Sequence, residues 1–291
     1  MSIKLEVTKD DTLLEYLLNA DLKYSRSKIK SLLKFECISI DNEMTTQFDD
    51  PVFVGQTISI VEHNNQKDTT LPILYEDKDI LVIDKPYGLL TVATGKNEDI
   101  TAYRLASAYV KTQDTKNKIF VVHRLDKDTS GVLMFAKSER AKAEYQSKWN
   151  DLVSDRTYVA IVEGQPKKKS GTIKTFLQQN KTNHMYSTSS GQEAITNYEV
   201  IKESENHSIL KINIDTGRKN QIRVHMSDMG TPIIGDKKYD AKTSPLKRLG
   251  LHAYRLIIKN PKTKKNMTFI SPLPPKFKKL SKITPTQESS I

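Results

Sequence analysis

Nine consecutive residues, HRLDKDTSG from His123 to Gly131, hold the densest set of reactive side chains in the chain. They lie between two runs that read as strands, 119–122 and 132–136, so they form a loop that presents polar groups. Asp126 and Asp128 raise the option of a carboxylate pair. Two-carboxylate glycoside hydrolysis needs acids that face each other across a bond, which neighbours in one loop seldom do. His123 with Asp126, completed by His225 and His252, raises the option of a metal site. Neither an HxH nor an HExxH spacing occurs, however, and scattered histidines are more often core or surface residues. A second cluster, TGRKNQIRVHM from Thr216 to Met226, opens on a turn at Thr216-Gly217 and continues as a helix over 220–229. Ile222, Met226 and Met229 form its buried stripe, and Arg223 lies beside that stripe, where its stem packs while its guanidinium reaches a cavity. A plain surface arginine is the alternative. RTYVA, Arg156 to Ala160, sets Tyr158 on a strand, where its ring is as readily core as a stacking platform.

The elements that must position these groups follow from periodicity. Leu13, Leu14, Leu17 and Leu18 repeat at helical spacing. A second, basic amphipathic helix spans 25–35, with Ile29, Leu32 and Leu33 on one face and Arg26, Lys28, Lys30 and Lys34 on the others. A short strand 38–40, the turn Asp41-Asn42 and an extended stretch 52–61 broken by Gly55 complete a unit over 1–63. HNNQKDTTLP is polar and ends in proline, so 64–72 reads as a linker. From Ile73 the texture changes to short strands at 73–75, 80–83, 119–122, 132–136, 157–162, 196–201, 208–214, 251–258 and 267–270. Helices are expected at 101–111, 139–152 and 220–229. Strands outnumber helices without regular alternation, which predicts an α+β domain over 73–285 with a mixed, largely antiparallel sheet, preceded by the small α/β unit. The tail from Lys276 loses periodicity and is expected to fray over 286–291.

Composition limits the function classes. The 291 residues carry 46 Lys+Arg against 35 Asp+Glu, a net charge of +11. From Gly230 to the end, 14 basic residues face 3 acidic ones, so that segment alone supplies the excess. Such a patch, including Lys237, Lys238, Lys247 and Arg248, suits a polyanion, because neutralising phosphates releases counterions; a solubilising surface is the plainer alternative. The single cysteine, Cys37, excludes an internal disulfide. No apolar run approaches the roughly 20 residues that span a bilayer, and the first residues lack a signal-peptide stretch, which reads as a soluble, cytoplasmic protein. A monomer is the default.

Five segments, taken in order, resemble the RluA-type RNA pseudouridine synthases: ILYEDKDILVIDKPYGL, HRLDKDTSG, RTYVAIVEG, TGRKNQIRVHM with GTPIIGDKKY, and LGLHAYRL. The resemblance runs from about Ile73 to Phe277, and the HRLDKDTSG element is highly specific. The first unit, through SRSKIKSLLKFECISIDN, resembles the small RNA-binding domain named after ribosomal protein S-four, except that Glu36-Cys37 stand where a glycine is usual.

The resemblance implies an isomerase. Uracil detaches from its sugar at nitrogen, rotates while held, and rejoins through carbon 5, with RNA as partner and with no cofactor, nucleotide or metal. It implies Asp126 as the catalytic carboxylate, Arg223 as the cation whose paired donors keep that acid charged, and Tyr158 as the ring that stacks on the flipped base. Arg124 fills the space the base leaves, and Gln221 and His225 shape the pocket. Asn220 departs from the histidine usual before QIR. Arg26, Lys28, Lys30, Lys237 and Lys238 become phosphate contacts, with ribosomal RNA the leading substrate and transfer RNA the other. The alternatives from other classes are a non-catalytic RNA-binding factor and a base-releasing hydrolase.

Overall fold

The computed structural model describes residues 2–20, 22, 24–34, 37–41, 43–45, 47–61, 71–93, 100–289 and 291. The chain divides into two compact units, 1–70 and 71–291. Of the expected linker, only Leu71 and Pro72 lie within the described residues, and Leu71 is buried among the core side chains of the second unit. Glu36 and Asn42, part of the expected turns, also lie outside them.

In the first unit the strands β1 (Ser2–Glu6), β2 (Asp11–Thr12), β3 (Ile38–Ile40), β4 (Glu43–Met44), β5 (Pro51–Val52) and β6 (Thr57–Val61) accompany two helices, α1 (Leu13–Asn19) and α2 (Arg26–Lys34). An antiparallel sheet of order β1-β6-β3-β4 buries Ile38, Ile58 and Ile60 against Leu13, Leu17, Ile29 and Leu33 of the helices. β1 escaped the sequence reading, although Ile3 and Leu5 alternate as a strand requires. The extended stretch 52–61 is two strands, because the chain turns at Gly55 with φ 90°.

The second unit is built on an eleven-stranded sheet. Its elements are β7 (Ile73–Glu76), β8 (Ile80–Lys85), α3 (Ala102–Gln113), β9 (Phe120–Val121), β10 (Ser130–Ala136), α4 (Glu139–Ser147), α5 (Trp149–Leu152), β11 (Val153–Glu163), β12 (Ser170–Gln179), β13 (Met185–Thr188), β14 (Gln192–Glu203), β15 (His207–Ile214), α6 (Gln221–Asp228), β16 (Leu251–Lys259), β17 (Asn266–Ile270), α7 (Pro275–Ser281) and α8 (Pro285–Ser289). The strand order is β13-β12-β14-β15-β11-β16-β10-β8-β7, with β17 also on β16 and β9 also on β10. Every pairing is antiparallel except β10 with β16, which is parallel over Ser130–Gly131. The fold is α+β with a mixed, largely antiparallel sheet.

Both faces of the sheet centre are covered, which explains the continuous apolar runs in β8 and β10. Ile80, Val82, Val132 and Met134 pack on Ala141 and Tyr145 of α4, while their neighbours Leu81, Ile83, Leu133 and Phe135 pack on Ala102, Ala106 and Val110 of α3. Thr101 and Ser138 cap these helices through their side-chain oxygens.

Three expectations are corrected. The helix expected over 139–152 is broken at Lys148 into α4 and α5. β12 and β13 were not expected, because β12 is polar or half-exposed along nearly its whole length and offers no apolar alternation. The fraying expected over 286–291 is absent among the described residues there: α8 spans Pro285–Ser289, Ile291 is 1% exposed beside Phe277, and Tyr254 Oη donates to the Glu288 carbonyl at 2.9 Å. Hydrophobic anchoring by separated residues, invisible to periodicity, holds this end. No helix among the described residues is long and apolar enough to cross a membrane.

Candidate active site

The loop between β9 and β10 is tied down on both sides of Asp126. Leu125 donates its N–H to Thr91 Oγ1 at 3.1 Å and accepts from the same hydroxyl at 2.7 Å. The Lys127 carbonyl accepts from Gly88 N at 3.0 Å and from Lys85 Nζ at 3.2 Å, and Thr129 N donates to the Asp126 carbonyl at 3.1 Å. His123 Nε2 accepts the main-chain N–H of Met134 at 3.1 Å, and its ring lies 4.9 Å from Trp149. Burial pulls this imidazole down to about 3, and Arg156 adds to the effect, so it stays neutral as that bond requires. With its neighbours fixed, Asp126 turns its carboxylate into a cavity of about 590 Å³.

Three more elements reach that cavity. β11 supplies Tyr158, aimed by a bulge where one step from Thr157 to Tyr158 spans two residues of β16, from Arg255 to Ala253. Burial pushes the Tyr158 phenol up to about 12; nearby Arg156 opposes this and Asp126 adds to it. The same strand supplies Arg156, whose Nη2 donates to the Asp215 carbonyl at 2.7 Å. α6 supplies Arg223, entered through Asn220 in the left-handed region at φ 54°, a conformation asparagine tolerates. Ile222 and Met226 of that helix are buried as expected, and Arg223 is 12% exposed.

The guanidinium is shared between two acids. Its Nη1 stands 3.9 Å from Asp126 Oδ2, while its Nε and Nη2 donate to Asp236 Oδ2 and Oδ1 at 2.7 Å each. The paired donors expected on Asp126 are therefore on Asp236, because the side chain leaves α6 facing the turn after Gly235. Asn220 Oδ1 accepts from Nη1 at 3.2 Å, and the Tyr239 ring lies 4.9 Å from the guanidinium carbon. Burial alone would lower Arg223, but Asp236 outweighs it and Asp126 adds to the rise, so the arginine is firmly charged.

Asp126 keeps 34% of its side chain open to the cavity, yet the enclosing walls raise its carboxyl above the ordinary aspartate range. Arg223, Lys85 and Arg124 work against that rise. Lys85 is fully buried, its ammonium donating to the carbonyls of Leu89, Pro86 and Lys127 at 2.7, 3.0 and 3.2 Å. Burial draws it down to about 7, against the pull of Asp128 and Asp126.

The remaining expected residues divide. Arg124 lines the cavity and is exposed. Gln221 also borders it, but its side chain is spent on structure: Nε2 donates to the Ile195 carbonyl at 2.9 Å, and Oε1 accepts from Thr216 Oγ1 at 2.8 Å and Arg218 N at 3.0 Å. His225 does not shape the pocket. It is fully buried, with Nδ1 at 2.8 Å from Thr196 Oγ1 and Nε2 at 2.9 Å from Thr175 Oγ1, because its place on α6 turns it toward the sheet. Lys237 and Lys238 are exposed on the turn next to Tyr239. In the first unit Arg26 is paired with Glu15 at 2.6 Å, Lys28 lies over the Tyr24 ring at 5.9 Å, and Lys30 lies over the Phe48 ring at 4.8 Å. Sequence reasoning missed Lys85, Arg156 and Asp236; a lysine ending the apolar strand β8 was the one available signal.

Comparison with known proteins fits this geometry. Residues 79–228 match the family model described as RNA pseudouridylate synthase. An RNA pseudouridine synthase of Mycoplasma genitalium is 33% identical over 283 residues, covering 91% of this chain and 90% of the relative. The ribosomal large subunit pseudouridine synthase D of Borreliella burgdorferi is 31% identical over 265 residues, 88% of this chain and 79% of the relative. Among solved structures, human RNA pseudouridylate synthase domain containing 4 superposes with a TM-score of 0.60 at 26% identity, covering 72% of this chain and 92% of that one. The matched stretch carries Asp126, Tyr158 and Arg223 together, and the chain belongs to the RNA pseudouridylate synthase family, whose members isomerise uridine to pseudouridine in RNA.

Proposed function

We propose that this RNA pseudouridine synthase acts on ribosomal RNA in the cytoplasm, with Asp126 as its reacting carboxylate. The observation that carries the assignment is the convergence of Asp126, Tyr158 and Arg223 on one cavity, with an arginine nitrogen 3.9 Å from the acid. The ribosomal target is supported by the resemblance to a synthase named for the large ribosomal subunit.

The target uridine leaves its stack at a cost of a few kcal/mol, and Arg124 at the rim occupies the gap. The uracil then lies on the Tyr158 ring, where stacking returns roughly 1–3 kcal/mol. The bond from nitrogen 1 to the ribose breaks with Asp126 ionised beside it, and the ring turns within the cavity. Carbon 5 bonds to the ribose carbon, the hydrogen it carried leaves as a proton, and the freed nitrogen 1 takes one up, so the composition of the RNA is unchanged. Arg223 holds the carboxylate charged through the cycle. The basic helix α2, through Lys28 and Lys30, and the turn bearing Lys237 and Lys238 contact phosphates; the first unit serves as the S-four-like RNA-binding module. These contacts position RNA without reading its sequence.

One assay separates this reading from its alternatives. RNA from cells lacking the protein, labelled with tritium at uracil carbon 5, is incubated with the enzyme. Label released to water supports isomerisation, free labelled uracil identifies a hydrolase, and retained label identifies a binder. Pseudouridine maps of cellular RNA with and without the protein then identify the target; a change confined to transfer RNA overturns the ribosomal assignment.

A further inference from the structure

Two ammonium groups beside the cavity are held by neutral oxygens rather than by acids. Lys219, on the cavity wall just before α6, donates through Nζ to Gln179 Oε1 at 3.3 Å. Lys238, on the turn before Tyr239, donates through Nζ to the Asn183 carbonyl at 3.0 Å. Gln179 ends β12, Asn183 lies in the turn that leads to β13, and Gln179 Nε2 donates to Asn183 Oδ1. The hairpin is itself fixed, because Leu177 and Met185 are buried against Val224 of α6 and Tyr239. One hairpin end therefore steers both lysines to one place, and among the described residues neither forms an ion pair.

Two cations held side by side repel each other until an anion lies between them. Burial draws Lys238 below the ordinary lysine range, Arg223 and Lys219 add to the fall, and Asp126 and Asp236 oppose it. Lys238 thus stands in the field of Lys219, of Arg223 and of the carboxylate at the cavity floor. A single ammonium is a point charge that attracts an anion without fixing its direction, so two are needed to hold a phosphate in one position.

The reaction creates a need for such a hold. Once uracil has detached, the base no longer ties its own ribose to the cavity, and that sugar must stay beside Asp126 until carbon 5 returns to it. The phosphate on that ribose is the nearest charged handle the substrate offers. We infer that Lys219 and Lys238 act as a pair that clamps this one phosphate, an assignment that rests on the reading of Asp126 as the reacting group. Lys237, exposed on the same turn, has no part in the clamp.

The test is a double-mutant cycle on Lys219→Gln, Lys238→Gln and the two together. Single-turnover tritium release is followed at fixed salt and rising enzyme concentration, with RNA from cells lacking the enzyme, labelled at uracil carbon 5. The plateau rate divided by the half-saturating concentration should fall roughly threefold or more for each single change, and the double change should add no more than about twofold beyond the worse single one. Side chains that share one phosphate lose it together, whereas independent contacts multiply their losses. A smaller fall in either single variant overturns the inference, and so does a double loss beyond that limit. Lys237→Gln combined with Lys238→Gln should give the product of its single effects; coupling as strong as that of the first pair overturns the choice of Lys219. Lys219 and Lys238 are exposed, so neither change touches the core, and thermal melting checks the fold. Asp126→Asn separates the two readings. An active Asp126→Asn enzyme sinks the assignment of Asp126, whereas uncoupled lysines beside a dead Asp126→Asn sink only the clamp.

Discussion

Gly131 passes so close to Ala253 that a Cβ at position 131 would stand 2.1 Å from the carbonyl oxygen of Ala253. This is the point where β10 runs parallel to β16, and Gly131 has φ 116°, a backbone that side chains rarely adopt. Gly131→Ala must force these central strands apart, at a cost of about 2–5 kcal/mol from strain and overpacking together. Urea unfolding of the variant checks the number. Because the loop of Asp126 ends here, turnover should fall as well.

Asp126→Asn should abolish tritium release while leaving RNA affinity and the melting temperature close to those of the unaltered enzyme. The residue has no packing role that asparagine cannot fill. Arg223→Lys should be nearly as damaging. A lysine cannot make two parallel bonds to Asp236 while also facing Asp126, and a loss of roughly 10²-fold in turnover is expected. Filter binding alongside the tritium assay separates the loss of turnover from any loss of binding.

Tyr158 divides into ring and hydroxyl. Among the described residues its Oη has no hydrogen-bond partner, so Tyr158→Phe should retain most of the activity. Tyr158→Ala removes the stacking surface, worth roughly 1–3 kcal/mol, and should reduce single-turnover rates by about 5- to 150-fold. Equal defects in the two variants would assign the work to the phenol instead.

Stability should depend on pH through three histidines. Burial holds His123 near about 3 and His225 and His252 near about 4, below the ordinary histidine value of 6.5. Between those limits the unfolded chain binds protons that the folded chain does not. The stabilisation is therefore complete above about 6.5 and is lost as pH falls toward 4, by up to about 1.4 kcal/mol per pH unit for each histidine. Urea midpoints measured from pH 7 to pH 4.5 test this; a flat profile contradicts it.

Raising salt should weaken RNA affinity steeply and leave turnover at saturating RNA much less changed, because phosphate contacts release counterions only on binding. Lys237→Glu with Lys238→Glu should shift affinity in the same sense. A salt-independent affinity would remove the basic surface from RNA recognition.

Much of this site was legible in the sequence, for specific reasons. The loop of Asp126, the strand of Tyr158 and the helix of Arg223 are local patterns, each read from a short window. What joins them is not local. Asp236 lies 13 residues beyond Arg223 and reaches it only because the turn after Gly235 folds back over α6. Lys85 lies 41 positions before Asp126; the carbonyls of Pro86 and Leu89 are its neighbours in sequence, but that of Lys127 reaches it only once β8 meets the loop of Asp126. His225, which the resemblance set in the pocket, stands two positions from Arg223, a spacing that turns the two side chains to different faces of the helix. β12 and the buried end at Ile291 failed for the opposite reason: their sequences are polar or aperiodic, and tertiary contact alone gives them structure.

The main-chain amide held by His123 bears on how the isomerisation disposes of its proton. A neutral imidazole whose one basic lone pair is committed to Met134 cannot accept another hydrogen, so no relay runs through that ring. The Tyr158 phenol, at about 12, is not ionised at neutral pH and is no base either. Among the described residues on the cavity wall, the departing hydrogen of carbon 5 is left to Asp126 or to solvent. The rate at which tritium appears in water should then follow the ionisation of an acid rather than that of an imidazole.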